Sequence, residues 1–470
     1  MLHNSLLIAA TVAATLVSSI SASKCQCRKI PDVDVAILGG GAAGSYAAAE
    51  LHAVHNKKVI VVDVASRLGG HVDTVPVPGQ ETPIDFGVLS YNNLSVVRDF
   101  FAAHDVNLIP DPGFVVGARV YLDQKTAKPV ELTQYSDDEF ATALDAWVKF
   151  GRKYEKYVAP AYNLPSPIGD AAPLLRPFGE TVEELGLEPI LWLLPDAHFA
   201  NDLLALPTLF AISSFGYIWF DGEGAATVVP ESRNNTELYI KIQTELGSDR
   251  VLLNTRIQSV RRNRKTGTST IVTKGPTGCT EITAKQVIVG FVPTAHNMRP
   301  FDTTREEDRL WSKWECVNLF NGLLTIDGYP DATSISPASS DPKRGGLAVP
   351  PNVRFINRGG TNFTHVWVTG SPEDHSLGDA KKRVEQRIRA INQAGEYALG
   401  EDVKYWGLSD HAPLACSVSP KDMAAGFWTD VNRLQGSGGI WYVGQAFTGD
   451  LTAMVWEQTR DVVGKLVQKL

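Results

Sequence analysis

The first regular pattern in the chain is an apolar run, Val33–Leu38, that stops at three glycines and continues as the alanine-rich stretch Ala42–Val54. A short continuous apolar run bounded by turn residues predicts a buried strand, and the stretch beyond the glycines predicts a helix. "KKVIVVD" (Lys57–Asp63) repeats the strand pattern, so this region reads as a strand–helix–strand unit. From Tyr135 to about Phe220 the pattern becomes helical. There "SDDE" (Ser136–Glu139) and "TVEE" (Thr181–Glu184) predict helix starts with capping boxes. Pro207–Phe220 is almost wholly apolar and aromatic. Between Arg250 and Phe291 the period falls to two, with glycine-containing turns between segments, which predicts a three-stranded meander. A mixed segment runs from Trp311 to Trp367, and an amphipathic helix covers Lys381–Gly395. The chain closes on strand, turn and helix between Gly439 and Val467. Nucleotide-type elements thus occur at the start, the middle and the end, so one domain is expected to be assembled from discontinuous pieces.

The chain has 470 residues and is 44% hydrophobic, enough for two to three domains' worth of chain. A net charge of −8 and the absence of a basic stripe argue against a nucleic-acid partner. The apolar run Leu6–Val17, followed by "SSISAS", has the length of a signal-peptide core and is too short to span a bilayer. Residues 1–22 are therefore expected to be a signal peptide, the mature chain to be secreted, and no later segment to span a membrane. Asn93, Asn234 and Asn362 each open a glycosylation sequon, which agrees with secretion. The five cysteines are Cys25, Cys27, Cys279, Cys316 and Cys416, an odd count that leaves one thiol without an internal partner. No CxxC pair or HExxH is present, so no metal site is expected.

The candidate chemistry starts at the first turn. Gly39, Gly41 and Gly44 fit G-x-G-x-x-G: one glycine for the tight turn, one for close approach of a pyrophosphate, one for helix–strand packing. Ala42 and Ala43 begin the helix, whose free N–H groups and positive end suit phosphate. Asp63, with Val64 beside it, ends the second strand, where an acidic side chain accepts hydrogen bonds from an adenosine ribose. NAD and FAD share this unit. "RLGGH" (Arg67–His71) adds a second glycine pair just past the acid. "YVGQAF…DLTAMVWE" adds a strand ending in Gly444 and a helix start that would stabilise a reduced flavin. The combination points to FAD.

With "RLGGHVDT", "IDFGVLSY" and "YVGQAF…MVWE", the whole mature chain resembles the flavin amine oxidase superfamily, and within it the fungal β-cyclopiazonate dehydrogenase-like oxidoreductases. The resemblance implies an α/β fold: a glutathione-reductase-type Rossmann FAD-binding domain interleaved with an α+β substrate domain that covers the flavin. The FAD domain is expected over 31–100, 240–295 and 435–470, and the substrate domain over 101–239 and 296–434. The resemblance carries over Gly39, Gly41, Gly44, Asp63, Gly69 and Gly70 as FAD contacts. It adds Ile257 on the meander, through its backbone near the adenine, and Gly444, Thr452, Ala453 and Met454 near the ribityl chain and flavin ring. Arg67, His71 and Gln445 complete the candidates; His71 stands where many relatives carry Arg, and Gln445 where an acidic or small polar residue is usual.

The lysine that amine oxidases hold near the flavin is not evident in "WECVNLFNGLLT", and the two-tyrosine cage falls at Ser417 and Met454. These departures count against simple primary amines as substrates. The expected reaction is hydride removal from a C–N or activated C–H bond of an apolar small molecule, with oxygen reoxidising the flavin. A place in secondary metabolism would follow from the subgroup. A flavin-dependent isomerase or desaturase of a lipid, and a flavin-binding protein without turnover, are the alternatives. Pro207–Phe220, Met454 and Trp456 are candidates to line the pocket, against a plain core reading. His411 in "SDHAPLAC" is the candidate acid or base near the flavin, against a structural histidine. "RRNRK" (Arg261–Lys265) reads as a solvated hairpin face. Cys416 is the candidate for a covalent flavin link, as in amine oxidases with a cysteine-linked flavin, with Cys25, Cys27, Cys279 and Cys316 in two disulfides. The alternative for Cys416 is a buried free thiol.

Overall fold

The computed structural model describes residues 27–113, 117–191, 202–220, 226–263, 265–357, 359–370 and 376–470. The expected signal peptide (residues 1–22) and Cys25 lie outside the described residues.

Two sheets organise the chain. In the first, Val33–Leu38 is the middle of a set of parallel strands, between Val59–Val62 (flanked in turn by Val251–Leu252) and the carboxyl half of Gly278–Val289, with Ile440–Tyr442 next to the latter. Val35–Leu38 and Val59–Val62 are buried throughout. A parallel strand covered on both faces needs an apolar residue at every position, which is why these segments read as continuous runs. The amino half of Gly278–Val289 pairs antiparallel with Thr268–Gly275, and that strand with Arg256–Asn263, forming the expected meander. The helix after the glycine turn spans Ala42–Ala49 and then widens into a π-helical turn, Glu50–Val54.

The second sheet runs in the order Lys404–Asp410, Glu315–Thr325, Thr364–Gly370, Asn352–Asn357, Thr333–Ala338, Ala118–Asp123, and Leu414–Ser417 pairs with the start of Glu315–Thr325. On one face Phe320, Val353, Phe355, Val366 and Val368 form a core with Ala380, Val384, Ile388 and Ile391 of helix Leu377–Ala394. Their alternation along each strand is the period of two expected when one sheet face packs on a helix.

The helical block contains Asp137–Val158, Phe178–Leu185 and Thr208–Ser214. Ser136 does form a capping box: its Oγ accepts from Glu139 N at 3.3 Å, and Glu139 accepts from Ser136 N at 2.8 Å. The second expected box fails. Thr181 lies inside helix Phe178–Leu185, which starts at Pro177, and its buried hydroxyl meets that of Thr208 at 2.8 Å. A box absent from the expectations occurs instead at Thr304–Glu307. The basic run is also only partly solvated. Arg262 turns inward onto Asp302 (2.9 Å) and Glu307 (2.9 Å), so one residue of the run is an internal tether. Phe210, Phe215 and Tyr217 are core residues. Trp219 packs against that core and donates from Nε1 to Ser214 O at 2.9 Å.

Cysteine pairing differs from expectation. Cys27 is bridged to Cys279, and Cys316 to Cys416. The first bridge ties the amino-terminal strand Arg28–Lys29 to the strand it pairs with. The second joins the neighbouring strands Glu315–Thr325 and Leu414–Ser417. Cys416 is therefore neither a free thiol nor available for a flavin bond; its sulfur is already committed to Cys316.

Candidate cofactor cavity

Four parallel strands end at one level. Leu38 pairs with Val62 on one side and Val289 on the other, and Val289 pairs with Tyr442. Immediately beyond these ends stand Gly39, Asp63, Gly290 and Val443–Gly444, and all of them line a cavity of about 670 Å³. Ligands of open α/β sheets lie at the carboxyl ends of the strands, and this volume falls within the range of small-molecule sites.

The glycine turn fits a dinucleotide for a reason visible in its packing. A Cβ on Gly44 would sit 1.8 Å from Gly39 O, so only glycine lets the helix close against the strand. A Cβ on Gly70 would come within 2.9 Å of Gly41 Cα, so the two glycine loops meet backbone to backbone. Asp63 Oδ2 accepts from Gly40 N at 2.5 Å and Oδ1 from Ala65 N at 2.7 Å, which fixes its carboxylate at the cavity wall with acceptor capacity to spare. The far end of the cavity is held by Gln458, whose Oε1 accepts from Gly444 N at 3.2 Å and whose Nε2 donates to Tyr442 O at 3.2 Å.

The structure brings Gly39, Gly41, Ala42, Ala43, Asp63, Val64, Gly69, Gly70, His71, Ile257, Gly444, Gln445 and Thr452 to this one wall. Gly44, Arg67, Ala453 and Met454 are not part of it. Gly44 is the packing contact just described. Arg67 points to Asp73 at 2.6 Å, and its charge is spent there rather than on the cavity. On the final helix Thr452 and Val455 face the cavity, whereas Ala453 and Met454 are turned inward and buried, as the three-residue helical spacing requires. Trp456 is wholly buried and donates to Ala42 O at 3.1 Å, so it braces the first helix and does not meet a ligand in this cavity.

His71 forms one corner of the cavity. Its ring stacks on that of His411, with centroids 4.3 Å apart and planes 11° from parallel. His411 stands behind His71 and not on the wall. Its Nε2 meets Asp73 Oδ2 at 2.9 Å and its Nδ1 meets Asn321 Nδ2 at 3.3 Å. Burial, reinforced by the neighbouring His411, pushes the His71 imidazole down to about 3, so His71 is neutral at ordinary pH. Burial alone would raise the Asp73 carboxyl; hydrogen bonding and the charge of His411, then Ser409 and Arg67, hold it below the usual carboxylate range.

Sequence reasoning missed Asp73, Asn321, the stretch Phe291–Pro300 and Ala412–Leu414. Gly290, which ends a strand as Gly39 does, was a usable signal for the Phe291–Pro300 wall. Nothing in the local pattern marks Asn321, which reaches His411 only because Glu315–Thr325 and Lys404–Asp410 are paired.

Comparison with known proteins places these features. Residues 37–103 match the family described as NAD(P)-binding Rossmann-like domain. The chain is 30% identical, over 92% of its length and 90% of the relative's, to an FAD-dependent oxidoreductase of Monascus ruber. It is 29% identical to the beta-cyclopiazonate dehydrogenase of Aspergillus oryzae, over 92% of each chain. Among solved structures, the fold is similar to that of a conjugated-linoleic-acid-producing fatty acid isomerase from P. acnes (TM-score 0.70, 15% identity, 92% of this chain and 98% of that one). It is similar as well to an engineered putrescine oxidase (TM-score 0.63, 13% identity, 93% and 99%).

Proposed function

This chain belongs to the FAD-dependent oxidoreductases that include beta-cyclopiazonate dehydrogenase, and on that premise we propose that it removes a hydride from a C–N or activated C–H bond of an apolar small molecule. FAD is its cofactor. The reading includes a cofactor domain of glutathione-reductase type, a mature chain that is secreted, a place in secondary metabolism, and oxygen as the final acceptor. The observation that carries it is the single cavity running from Gly39–Gly41 and Asp63 to Gly444 and Thr452.

Bound FAD supplies the two-electron acceptor, and the protein supplies binding, orientation and electrostatics. The N–H groups at the start of helix Ala42–Ala49 would hold the pyrophosphate, and Asp63 would orient the ribose. Helix Thr452–Val467 turns its positive end to the opposite half of the cavity, where it favours negative charge. His71 offers a hydrogen-bonding ring without adding charge. The sequons differ in access: Asn362 is exposed on the turn between Asn352–Asn357 and Thr364–Gly370, whereas Asn93 is buried. Glycosylation of a secreted chain is therefore expected at Asn362 and not at Asn93.

The test is direct. Purified protein is expected to be yellow and to release one FAD on denaturation, and Gly41→Asp to be colourless. A Gly41→Asp protein that loads flavin normally overturns the placement. Hydrogen peroxide formed with substrate favours the oxidase reading; anaerobic turnover without net oxidation contradicts it.

A further inference from the structure

A dinucleotide brings two negative charges in its pyrophosphate, and a helix N-terminus offers roughly half a positive charge against them. The second glycine loop adds no cation to the cavity. Arg67 is spent on Asp73 at 2.6 Å, and His71 faces the cavity uncharged. Among the described residues two permanent cations line the cavity, Arg256 and Arg299, and no lysine does. Neither guanidinium makes an ion pair or a side-chain hydrogen bond with another described residue, so the wall carboxylates Asp63 and Asp450 do not neutralise them.

Both arginines stand on elements tied to the glycine turn and to each other. Gly290 N donates to Leu38 O at 2.8 Å, beside the turn, and opens the stretch Phe291–Pro300. The stretch ends where Val260 N donates to Pro300 O at 2.9 Å. Between these ends Asn297 braces it: Nδ2 donates to Val292 O at 2.9 Å, and the backbone N–H to Thr294 Oγ1 at 3.2 Å. Arg299 is thus displayed by a loop held at both ends. Arg256 opens the strand Arg256–Asn263. A bulge after Ile257 lets Arg256, Ile257 and Gln258 all reach the cavity, where a regular strand presents alternate residues. Directly across from Arg256 stands Lys274, also exposed and also without an ion pair among the described residues. Like charges at facing positions are destabilising, and an anion beside them relieves the repulsion.

We propose that Arg256 and Arg299 are the counter-charges of the cofactor's pyrophosphate, taking the part for which Arg67 and His71 are unavailable. The inference rests on the flavin reading of the cavity and adds to it the residues that neutralise the cofactor. A guanidinium presents a planar fork of N–H donors that matches phosphate oxygens, and two of them meet the charge that the helix end leaves over. Both groups are exposed, so the attraction is open to screening by salt.

Equilibrium dialysis of the FAD-loaded protein against rising sodium chloride, with bound FAD read by absorbance and free FAD by fluorescence, is the test. The wild type is expected to bind FAD more weakly as salt rises. Arg256→Gln and Arg299→Gln are each expected to raise the dissociation constant about three- to tenfold at low salt, and the double variant to flatten the salt dependence. Arg299→Lys keeps the charge and is expected to keep the salt dependence. Arg67→Gln is expected to keep it as well, since Asp73 already meets that charge. Phosphorus NMR of the loaded proteins reads the phosphates directly, and the resonances of bound FAD are expected to shift in both Gln variants. Unchanged resonances and an unchanged salt dependence in the double variant overturn the proposal and leave the flavin reading standing, even where affinity falls through lost contact with the adenine. Protein that binds no FAD overturns both. The phosphorus spectra decide the matter where FAD stays bound at every salt concentration.

Discussion

The two halves of the cavity wall are built in different ways. The half around Gly39, Gly41 and Asp63 is mostly local: strand, turn, helix and second strand follow one another, and only backbone neighbours such as Gly290 and the brace from Trp456 come from farther along the chain. The corner around His71 is assembled from distant parts. Asp73 and His411 are 338 positions apart, and Asn321 reaches His411 across 90. The local half depends on the absence of side chains, since backbone must touch backbone. The distant corner depends on particular polar side chains that satisfy one another in a buried place, where an unmet group is costly. One half should therefore fail sterically and completely, the other electrostatically and by degrees.

Gly44→Val is expected to have the largest effect. Its Cβ would lie 1.8 Å from a carbonyl oxygen that has no room to move, so little soluble protein and no flavin absorbance are expected at purification. A yellow, folded Gly44→Val protein would break the steric account of the local half. His411→Ala removes the partner of both Asp73 and Asn321 and the ring under His71, and should cost about 1–3 kcal/mol in urea unfolding while leaving the fold intact. No change in the unfolding midpoint would remove the energetic role of the distant corner.

Titration sharpens the same comparison. The His71 imidazole is held down to about 3, against about 6.5 in an unfolded chain. Below pH 6.5 the unfolded state binds the proton that the native state refuses, so stability falls as pH drops, by up to about 1.4 kcal/mol per pH unit, and levels off near 3. Asp73, held low, works in the same direction: its contribution is complete above the ordinary carboxylate range and fades as pH falls below it. Thermal melts from pH 7 to pH 4 should therefore drop less steeply for His71→Gln than for the wild type. Parallel curves would show that His71 is not held neutral. The smallest effect lies outside both halves. Ser136→Ala deletes an exposed helix cap and should cost about 1 kcal/mol with no change in flavin content.

Much of the fold was legible. The strand–helix–strand unit, the meander and the closing strand and helix appear where the apolar pattern put them, because burial on two faces of a parallel sheet, or on one face of a twisted one, leaves a direct trace in the residue order. The TVEE motif misled because Thr181 met Thr208 across the helical block instead of capping a helix. The candidate site was legible where a residue acts through its backbone or its lack of bulk: thirteen of the expected cofactor contacts, from Gly39 to Thr452, reach one wall. Arg67 did not, because its charge found Asp73 first.

What the sequence determined by itself is therefore the elements of the first sheet, the helical block and the glycine turns, since these follow from hydrophobic period and from conformations that only glycine fills; the strands of the second sheet were not told apart within the mixed segment. Tertiary structure alone decided which cysteines pair, that His411 stands behind His71 rather than on the wall, and that Asp73 and Asn321 belong to the site at all. Those outcomes depend on which strands lie side by side. Strand order is set by the packing of two sheets and the helices that cover them, and a long-range pairing leaves no period in the chain from which it can be read.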